Sequence, residues 1–338
     1  MYLKSAEALS LLLEIIQNKV ILCDTNTYLH CYSKLNIDET TSVIIFEGGE
    51  QKKTLQSLEL VLQNLTKLNC DRKTCLINLG GGVVTDLGGF AASVYKRGID
   101  FVNVPTTLMA MVDAANGGKT GINFMGNKNY LGTFTSAQSV FIWPGFMESL
   151  DRLDLLSGYA EMLKHGLIAD PSYFKELANL NLKGHSCFEI DWLPLIKKSL
   201  EIKSAITLLD FEEKAERKFL NFGHTIGHAL ESYFMEKHLT HGHFVASGMI
   251  CEAWLSKVLG ELSAIQFDEI VKTLDRFYDR IQLSEMQIIE IAELVIMDKK
   301  STNNTIQCVF LKQIGEAVFD KPITNKDVIE SLNFYCSN

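Results

Sequence analysis

The first 145 or so residues alternate short apolar runs with helical patterns, and this alternation constrains the fold more than any other feature of the chain. The apolar runs have the length of β-strands, and helical periodicity lies between several of them, most clearly over Thr54–Leu68. Such alternation is typical of a parallel, doubly wound sheet. The predicted strands are Lys19–Cys23, Ser42–Phe46, Cys75–Leu79, Phe101–Val104 and Val140–Trp143.

The pattern changes near residue 150, where long amphipathic helices replace the strands. Ile306–Phe310 is the one late segment that still reads as a strand. A chain of 338 residues is also long enough for two cores. We therefore predict an α/β, Rossmann-like nucleotide-binding domain over residues 1–150 and an α-helical domain over residues 151–338. The cleft between two such domains is the default place for a ligand.

Charge and hydropathy exclude several classes of partner. The net charge of −9 argues against a general affinity for nucleic acid, although a local basic pocket for a small anion remains compatible with it. No run approaches the roughly 18 apolar residues of a membrane span. The N-terminus reads as an amphipathic helix rather than a signal peptide, and the eight cysteines form no Cys-x-x-Cys pair. These features predict a soluble, cytoplasmic protein with reduced thiols.

Four polar residues in the second half recur with the spacing of one helix face. Arg217, Asn221, His224 and His228 follow one another at steps of four, three and four. Polar groups on a core-facing stripe are costly unless something binds there. His241, thirteen residues further on, could complete a metal triangle from a nearby loop. The alternative is a solvated face whose apolar neighbours supply the core contact.

A glycine-rich loop follows the third predicted strand. Gly80-Gly81-Gly82 leads into a helical pattern, and consecutive glycines allow backbone N–H groups to approach a phosphate closely. The spacing is not G-x-G-x-x-G, so a simple tight turn remains the alternative. Thr106 and Thr107 follow the next strand, at the sheet edge where ligands of open α/β sheets bind.

Several charged residues could bind an anionic substrate or a metal ion. Lys119, Lys128 and Arg97 could hold phosphate and carboxylate groups, although each alone could equally be a surface charge. Glu161 lies three residues before Lys164, which suits a surface ion pair. With two histidines, the same carboxylate would instead complete a recurring catalytic zinc set.

Lys203 stands out in the same way. It continues the apolar stripe of Leu193, Ile196 and Leu200, and therefore should point inward towards an anionic partner.

Five motifs together resemble the 3-dehydroquinate synthases, the sugar-phosphate cyclases of the shikimate pathway of aromatic amino acid biosynthesis. The motifs occur in order as GGGVVTDLGGFAASVYKRG, VPTTLMAMVDAANGGKTGIN, GNKNYLGTF, LLSGYAEMLKHGLI and LNFGHTIGHALE. The resemblance runs from about Asp24 to the Lys299-Lys300 pair. It implies a Rossmann-like domain followed by a helical domain, a homodimer, a tightly held NAD and one divalent metal ion, zinc or cobalt.

Carried onto matching positions, the resemblance assigns the site residues. The implied metal ligands are Glu161, His224 and His241. The implied NAD contacts are Asp24, Asn26, Glu50, Lys53, Gly82, Val83, Asp86, Thr106, Thr107, Lys119, Lys128, Phe146 and Ser149. The implied substrate contacts are Arg97, Asp113, Lys119, Asn129, Lys164, Lys203, Arg217, Asn221, His228 and Lys300.

The resemblance also implies a mechanism. The metal binds two hydroxyls of 3-deoxy-D-arabino-heptulosonate 7-phosphate, NAD oxidises C5, phosphate is eliminated, NADH returns the hydride, and an intramolecular aldol step closes the carbocycle. Lys119 with Arg97 would then bind the phosphate, Lys203 with Arg217 would bind the carboxylate, and His228 would handle a proton. Lys164 joins these residues as a catalytic candidate.

Five positions depart from the family pattern. His243 stands where a glutamate is common, Trp143 where an aspartate is common, Ser136-Ala137 where Gln-Pro is common, and Asn116 where an apolar residue is typical. Three alternatives stay open: a cyclase whose substrate lacks the carboxylate, a polyol or alcohol dehydrogenase of the related metal-dependent fold, and an inactive NAD-binding protein.

Overall fold

A computed structural model describes residues 1–182, 189–234, 239–298 and 306–337. The chain divides into two compact units, the first made of Met1–Gly158 with Asp191–Leu200 and the second of Tyr159–Ile190 with Glu201–Asn338. None of the helices in the described ranges is both long and apolar enough to cross a membrane. The seven cysteines in these ranges are free thiols, and six of them are buried.

The first unit is built on a five-stranded parallel sheet, as the alternation predicted. The strands of this unit are β1 Lys19–Asp24, β2 Val43–Phe46, β3 Cys75–Gly80, β4 Phe101–Pro105, β5 Lys119–Phe124, β6 Asn127–Phe134 and β7 Ser139–Val140. In the sheet they lie in the order β2-β1-β3-β4-β7, and a separate antiparallel hairpin joins β5 to β6. The helices are α1 Ala6–Ile15, α2 Thr25–His30, α3 Leu55–Lys67 and α4 Gly82–Val94.

Helix α4 packs directly on the central strands, and its close approach depends on a glycine. Asn78 in β3 donates from Nδ2 to Oδ1 of Asn103 in β4 at 2.9 Å, so a hydrogen bond joins two buried amides inside the sheet, while Oδ1 of Asn78 accepts none from the described residues. A Cβ atom at Gly88 would lie 2.0 Å from Oδ1 of Asn78 and 2.9 Å from Leu22. Because a protein interior is close-packed, this separation leaves no room for a side chain.

Most of the predicted elements are confirmed, with two errors in the first unit. The predicted strand Val140–Trp143 is wrong, because the strand is Ser139–Val140 and a 3₁₀ helix runs over Pro144–Ser149. Pro144 has a fixed φ and lacks an N–H group, which favours the start of a helix over continuation of a strand. The β5–β6 hairpin was not predicted, because its glycines and polar residues indicated a ligand-binding loop instead.

The second half of the chain is mostly helical, as predicted, and it also holds one antiparallel hairpin. Its elements are α5 Arg152–Ala169, α6 Pro171–Ala178, α7 Trp192–Leu209, α8 His224–Tyr233, α9 His241–Val258, α10 Ala264–Phe277, α11 Glu285–Asp298, β8 Ile306–Gln313, β9 Glu316–Ile323 and α12 Asn325–Ser337. Helix α9 contacts α8, α10, α12 and β8. The predicted strand Ile306–Phe310 is longer than expected, and its partner β9 was missed.

The substitution Gly88→Ala should destabilise the protein by about 1–3 kcal/mol, because the added methyl group overpacks the interface between α4 and the sheet. Urea unfolding measures this cost. In an Asn78→Ala background the clash with the amide is removed, so Gly88→Ala should cost at least about 1 kcal/mol less. Equal costs in the two backgrounds would contradict the role given to Asn78.

Candidate metal and substrate site

The polar stripe of the second unit is not a single helix face, and that prediction was wrong. Residues Glu216–Asn221 form a short 3₁₀ helix, and α8 begins only at His224. Between them Gly223 adopts a left-handed conformation with φ of +80°. Glycine is required there, since a Cβ atom would lie 2.4 Å from Cγ of Met249 and 2.8 Å from the carbonyl oxygen of Val245.

The two predicted histidine ligands are the first residues of neighbouring helices. His224 begins α8, and His241 begins α9 rather than lying in a loop as expected. The helices approach at glycines: a Cβ at Gly227 would lie 2.9 Å from the carbonyl oxygen of Phe244, and one at Gly248 would lie 2.0 Å from that of Gly223. The absence of side chains at these points brings the two helix starts together.

Both histidines face Glu161 of α5. Nε2 of His224 lies 3.5 Å and Nε2 of His241 lies 3.7 Å from Oε1 of this carboxylate, which is 1% exposed. These separations are longer than good hydrogen bonds, and Oε1 accepts none from the residues that the structure describes. They are close to the ~3.4 Å that separates two ligands of a tetrahedral ion at about 2.1 Å. The three donor groups therefore fit a divalent metal ion.

The remaining ring nitrogens are already oriented. Nδ1 of His224 lies 3.2 Å from the carbonyl oxygen of Phe222, and Nδ1 of His241 lies 3.0 Å from Oε2 of Glu231. A proton on each Nδ1 leaves the Nε2 lone pairs directed towards Glu161. Metal-ligating histidines commonly have this kind of support on the second nitrogen.

Glu161 is held ionised by its surroundings. Burial favours the neutral acid, but the charge of Lys164 and the imidazoles of His224 and His241 keep the pKa of Glu161 well below its ordinary value. Lys164 and Glu161 form an ion pair that is almost completely buried. The alternative of a surface ion pair is therefore wrong.

The pKa values of the two histidines are shifted in opposite directions. Burial lowers the pKa of His224, and the charge of Lys164 adds to that effect. Burial also acts to lower the pKa of His241, but the neighbouring carboxylates of Glu161 and Glu231 outweigh it and raise this pKa to about 10. Metal ligation requires a neutral imidazole. The negative charge around His241 instead favours its protonated form, so a metal ion must displace that proton in order to bind.

His228 lies beside the two proposed ligands and is exposed. Its ring centroid is 5.1 Å from that of His224 and 5.7 Å from that of His241. The three imidazoles present donor nitrogens within 4.8 Å of one another, so they form a second possible donor set. His243, in contrast, is buried, and its Nε2 lies 2.8 Å from the carbonyl oxygen of Asp279.

The predicted substrate cations of the second unit are buried. Lys203 of α7 is 4% exposed, which confirms that the stripe points it inward. Arg217 is 3% exposed and donates from Nη1 to the carbonyl oxygen of Phe211 at 2.6 Å. Asn221 donates to Oε1 of Glu213 at 2.7 Å. Lys300 lies outside the described residues.

In the first unit, Lys53 connects two groups of predicted contacts. Its Nζ is 2.5 Å from Oδ2 of Asp86 in the first turns of α4, and it also donates to Oδ1 of Asn129 in β6. Lys53 is 3% exposed, and although burial lowers its pKa, the charges of Asp86 and Glu50 raise that pKa overall. The structure thus brings together two residues assigned to NAD and one assigned to substrate.

The glycine-rich loop Gly80-Gly81-Gly82 lies next to Thr106 and Thr107. Helix α4 starts at Gly82, and its N-cap Gly81 has no side chain to occupy the first N–H groups. The backbone N–H of Thr106 donates to the carbonyl oxygen of Gly80 at 3.0 Å, which places the Thr106-Thr107 pair beside the loop. This arrangement suits a phosphate at the start of α4.

The other assigned residues of the first unit are more dispersed. Asp24 caps α2 by accepting from the N–H of Thr27 at 2.7 Å, and Glu50 accepts from Asn123 at 2.9 Å. Asp113 lies in a π-helical turn, Ala110–Ala114. The remainder are Asn26 in α2, Val83 in α4, Arg97 after α4, Lys119 in β5, Lys128 in β6, and Phe146 and Ser149 in the 3₁₀ helix; of these, Asn26, Arg97, Lys119, Lys128 and Ser149 are exposed.

Sequence reasoning missed one residue that touches the metal donors. Glu231 lies seven residues, or two helical turns, after His224 on α8, and it supports the ring of His241. An expected carboxylate behind each histidine ligand could have identified it.

Comparison with known protein families covers both halves of the chain. Residues 43–157 match the family described as 3-dehydroquinate synthase N-terminal, and residues 158–301 match the one described as 3-dehydroquinate synthase C-terminal. The chain belongs to the 3-dehydroquinate synthase family. The resemblance read from the motifs is thereby confirmed.

Two relatives illustrate the match within this family. A 3-dehydroquinate synthase of Parabacteroides distasonis is 39% identical over 321 residues, which cover 93% of this chain and 90% of that protein. A 3-dehydroquinate synthase of Campylobacter jejuni subsp. doylei is 37% identical over 303 residues, which cover 89% of this chain and 86% of that protein. The match therefore extends over most of both relatives.

Solved structures show the same fold at lower identity. One is 2-epi-5-epi-valiolone synthase from Streptomyces hygroscopicus with NAD⁺ and Zn²⁺ bound, with a TM-score of 0.82, 22% identity, and coverage of 100% of this chain and 96% of that one. Another is 2-deoxy-scyllo-inosose synthase complexed with carbaglucose-6-phosphate, NAD⁺ and Co²⁺, with a TM-score of 0.81, 20% identity, and coverage of 97% and 95%. At these identities the similarity concerns the fold.

Metal-binding measurements should show which of the two donor sets holds the ion, the one that contains Glu161 or the one made of three histidines. Zn²⁺ at about 100 times its Kd should stabilise the wild-type protein by about 2.7 kcal/mol, seen as a rise in Tm. Glu161→Gln and His241→Ala should remove this rise, whereas His228→Ala should retain it. His243→Ala is the matched control, because it removes a neighbouring imidazole that bonds elsewhere. Retention in Glu161→Gln with loss in His228→Ala would instead favour the three-histidine set.

Proposed function

We propose that this chain is a 3-dehydroquinate synthase that converts 3-deoxy-D-arabino-heptulosonate 7-phosphate into 3-dehydroquinate and phosphate. The observation that carries the proposal is the identity of 37–39% with proteins of that name over most of both sequences. The cluster of Glu161, His224 and His241 supports it, because its donor chemistry and separations suit a divalent ion.

The proposed metal ligands are Glu161, His224 and His241. When bound, a zinc or cobalt ion acts as a Lewis acid towards hydroxyl oxygens of the sugar. The protein's own contribution is orientation: Phe222 and Glu231 fix the two imidazoles, and Lys164 offsets the buried charge of the carboxylate. These contacts keep the donor atoms in place before the substrate arrives.

The proposed dinucleotide site lies at the start of α4. When bound there, NAD would supply reversible hydride transfer without net oxidation of the substrate. The N–H groups at Gly82 and Val83 suit its phosphates, and the Thr106-Thr107 pair suits its polar groups. The buried ammonium group of Lys53 pairs with the half-buried Asp86 next to this loop.

The remaining assignments concern the anionic groups of the substrate. Lys119 and Arg97 are exposed cations that bind the phosphate, and Lys203 and Arg217 are buried cations that bind the carboxylate. A buried cation is suited to an anionic ligand because charge pairing offsets its desolvation. Asp113, Asn129 and Asn221 supply polar contacts, as does Lys300, which lies outside the described residues.

His228 is proposed to move a proton at its imidazole. It is exposed while lying beside His224 and His241, so it faces the side of the metal donors that solvent reaches. An imidazole has one nitrogen that can accept a proton and one that can donate a proton, so it can act as both base and acid.

The wider organisation is proposed on the same basis. Residues 1–150 form the NAD-binding domain and residues 151–338 the metal- and substrate-binding domain. The enzyme works as a cytoplasmic homodimer on a small phosphorylated sugar acid. Neither nucleic acid nor a membrane is a partner, in keeping with the net charge of −9.

The direct test supplies 3-deoxy-D-arabino-heptulosonate 7-phosphate with Zn²⁺ and a trace of NAD, and measures phosphate and 3-dehydroquinate. Equal amounts of the two products, far above the amount of NAD, are expected because the cofactor is regenerated. Glucose 6-phosphate, which lacks the carboxylate, should release no phosphate. Absence of both products from metal-loaded protein would overturn the proposal, and steady accumulation of NADH with a polyol would favour a dehydrogenase.

Lys203→Met should lower kcat/KM about 10- to 100-fold, because it removes a charge-assisted contact to the substrate. The matched control is Lys197→Met, which removes an exposed cation from the same helix. Steady-state kinetics, with Tm measured for each variant, gives the comparison. Equal kcat/KM in the two variants would contradict the role given to Lys203.

A further inference from the structure

Glu252 is a fully buried carboxylate in α9 that bonds to the start of the neighbouring helix α8. Its Oε2 accepts from the backbone N–H of Gly223 at 2.7 Å, and its Oε1 accepts from the backbone N–H of Ile226 at 3.2 Å. Glu252 has 0% exposure. Both oxygens of a buried acid therefore serve the first turn of another helix.

The first turn of α8 needs this external partner. The first N–H groups of any helix lack acceptors within the helix, and a Ser, Thr, Asp or Asn at the N-cap usually supplies one. The N-cap here is Gly223, which has no side chain and must remain glycine because of its conformation and contacts. A carboxylate from α9 satisfies these donors and also faces the positive end of the helix dipole.

The two bonds of Glu252 lie on either side of His224. Gly223 immediately precedes this histidine, and Ile226 follows two residues later. His224 is itself the first residue of α8, and its Nδ1 faces the carbonyl oxygen of Phe222. The cap therefore fixes the stretch of backbone from which the His224 ring projects towards Glu161.

Glu252 also connects the two histidines. It belongs to α9, the helix that His241 begins, while its bonds end on α8, the helix that His224 begins. The Nε2 atoms of these histidines lie 3.5 and 3.7 Å from the same carboxylate oxygen. A small rotation at the start of α8 would change the first distance and leave the second unchanged.

We infer that Glu252 is a positioning residue for the metal site, acting through the first turn of α8 without touching the metal. The inference rests on the metal site of the proposed function. Glu231 acts differently, since it bonds directly to a ligand ring. An ordinary structural cap would affect only the stability of the fold, whereas a positioning cap also sets metal affinity.

The test compares Co²⁺ binding by metal-free full-length variants, using chelator competition for Kd and visible absorption for the coordination geometry. Glu252→Gln keeps the shape of the side chain but turns one acceptor into an amide donor, which opposes an N–H group. Its Kd for Co²⁺ should rise about 10- to 100-fold, with an altered absorption band. Glu252→Ala should raise Kd at least as much.

Two controls separate positioning from stability. Glu290→Gln alters a carboxylate that accepts from Tyr233 at the far end of α8, at 2.6 Å. Leu274→Ala truncates a fully buried side chain of α10 and should lower Tm. Both controls should keep the wild-type Kd and absorption band.

Each other outcome overturns the inference. A wild-type Kd and absorption band in Glu252→Gln, at any Tm, would show that the cap is only structural. An equal rise in Kd for Leu274→Ala would show that general destabilisation explains the effect. Failure of the wild-type protein itself to bind Co²⁺ would overturn the proposed metal site as well, which distinguishes the two failures.

Discussion

The close packing of α8 against α9 is the constraint on which the rest of the candidate site depends. The two helices meet through backbone atoms at Gly223, Gly227 and Gly248, where no side chain larger than a hydrogen atom fits. This contact brings His224 and His241, the first residues of the two helices, close to one another. It also brings Glu252 within reach of the N–H groups that Gly223 leaves without a local cap.

Buried charge is the second organising element, and each unit contains an ion pair with at least one buried member. Glu161 lies next to Lys164 in the second unit, and Lys53 lies next to Asp86 in the first. Ion pairs in such surroundings are weak evidence for stability, because their attraction is largely offset by desolvation. Their value here is positional: one pair holds a carboxylate among imidazoles, and the other holds an acid at the start of α4.

The sequence predicted the sheet well because a buried parallel strand is a continuous apolar run. Cys75–Gly80 is buried along its whole length, and it appears in the sequence as an apolar run interrupted only by Asn78. The predictions failed where conformation depends on distant contacts. The bend at Gly223 depends on Val245 and Met249 of another helix, and no periodicity within residues 217–228 indicates it.

The site residues likewise fall into those that the sequence identified and those that only the structure reveals. Motif resemblance identified Glu161, His224 and His241, and the structure places them together; their roles remain proposals. Glu231 and Glu252 were not recognised, since an acid on a helix is ordinary until its partner is known. Only the three-dimensional fold shows that one bonds to a ligand ring and the other to a helix start.

All the proposed metal donors and the acids behind them belong to the second unit. The unit that would bind the dinucleotide contributes none of Glu161, His224, His241, Glu231 or Glu252. On the proposed assignment, the metal donors therefore depend on the folding of the second unit alone. We expect a substitution in the glycine loop to impair dinucleotide binding without removing any metal donor, so the metal content of such a variant would not report its turnover.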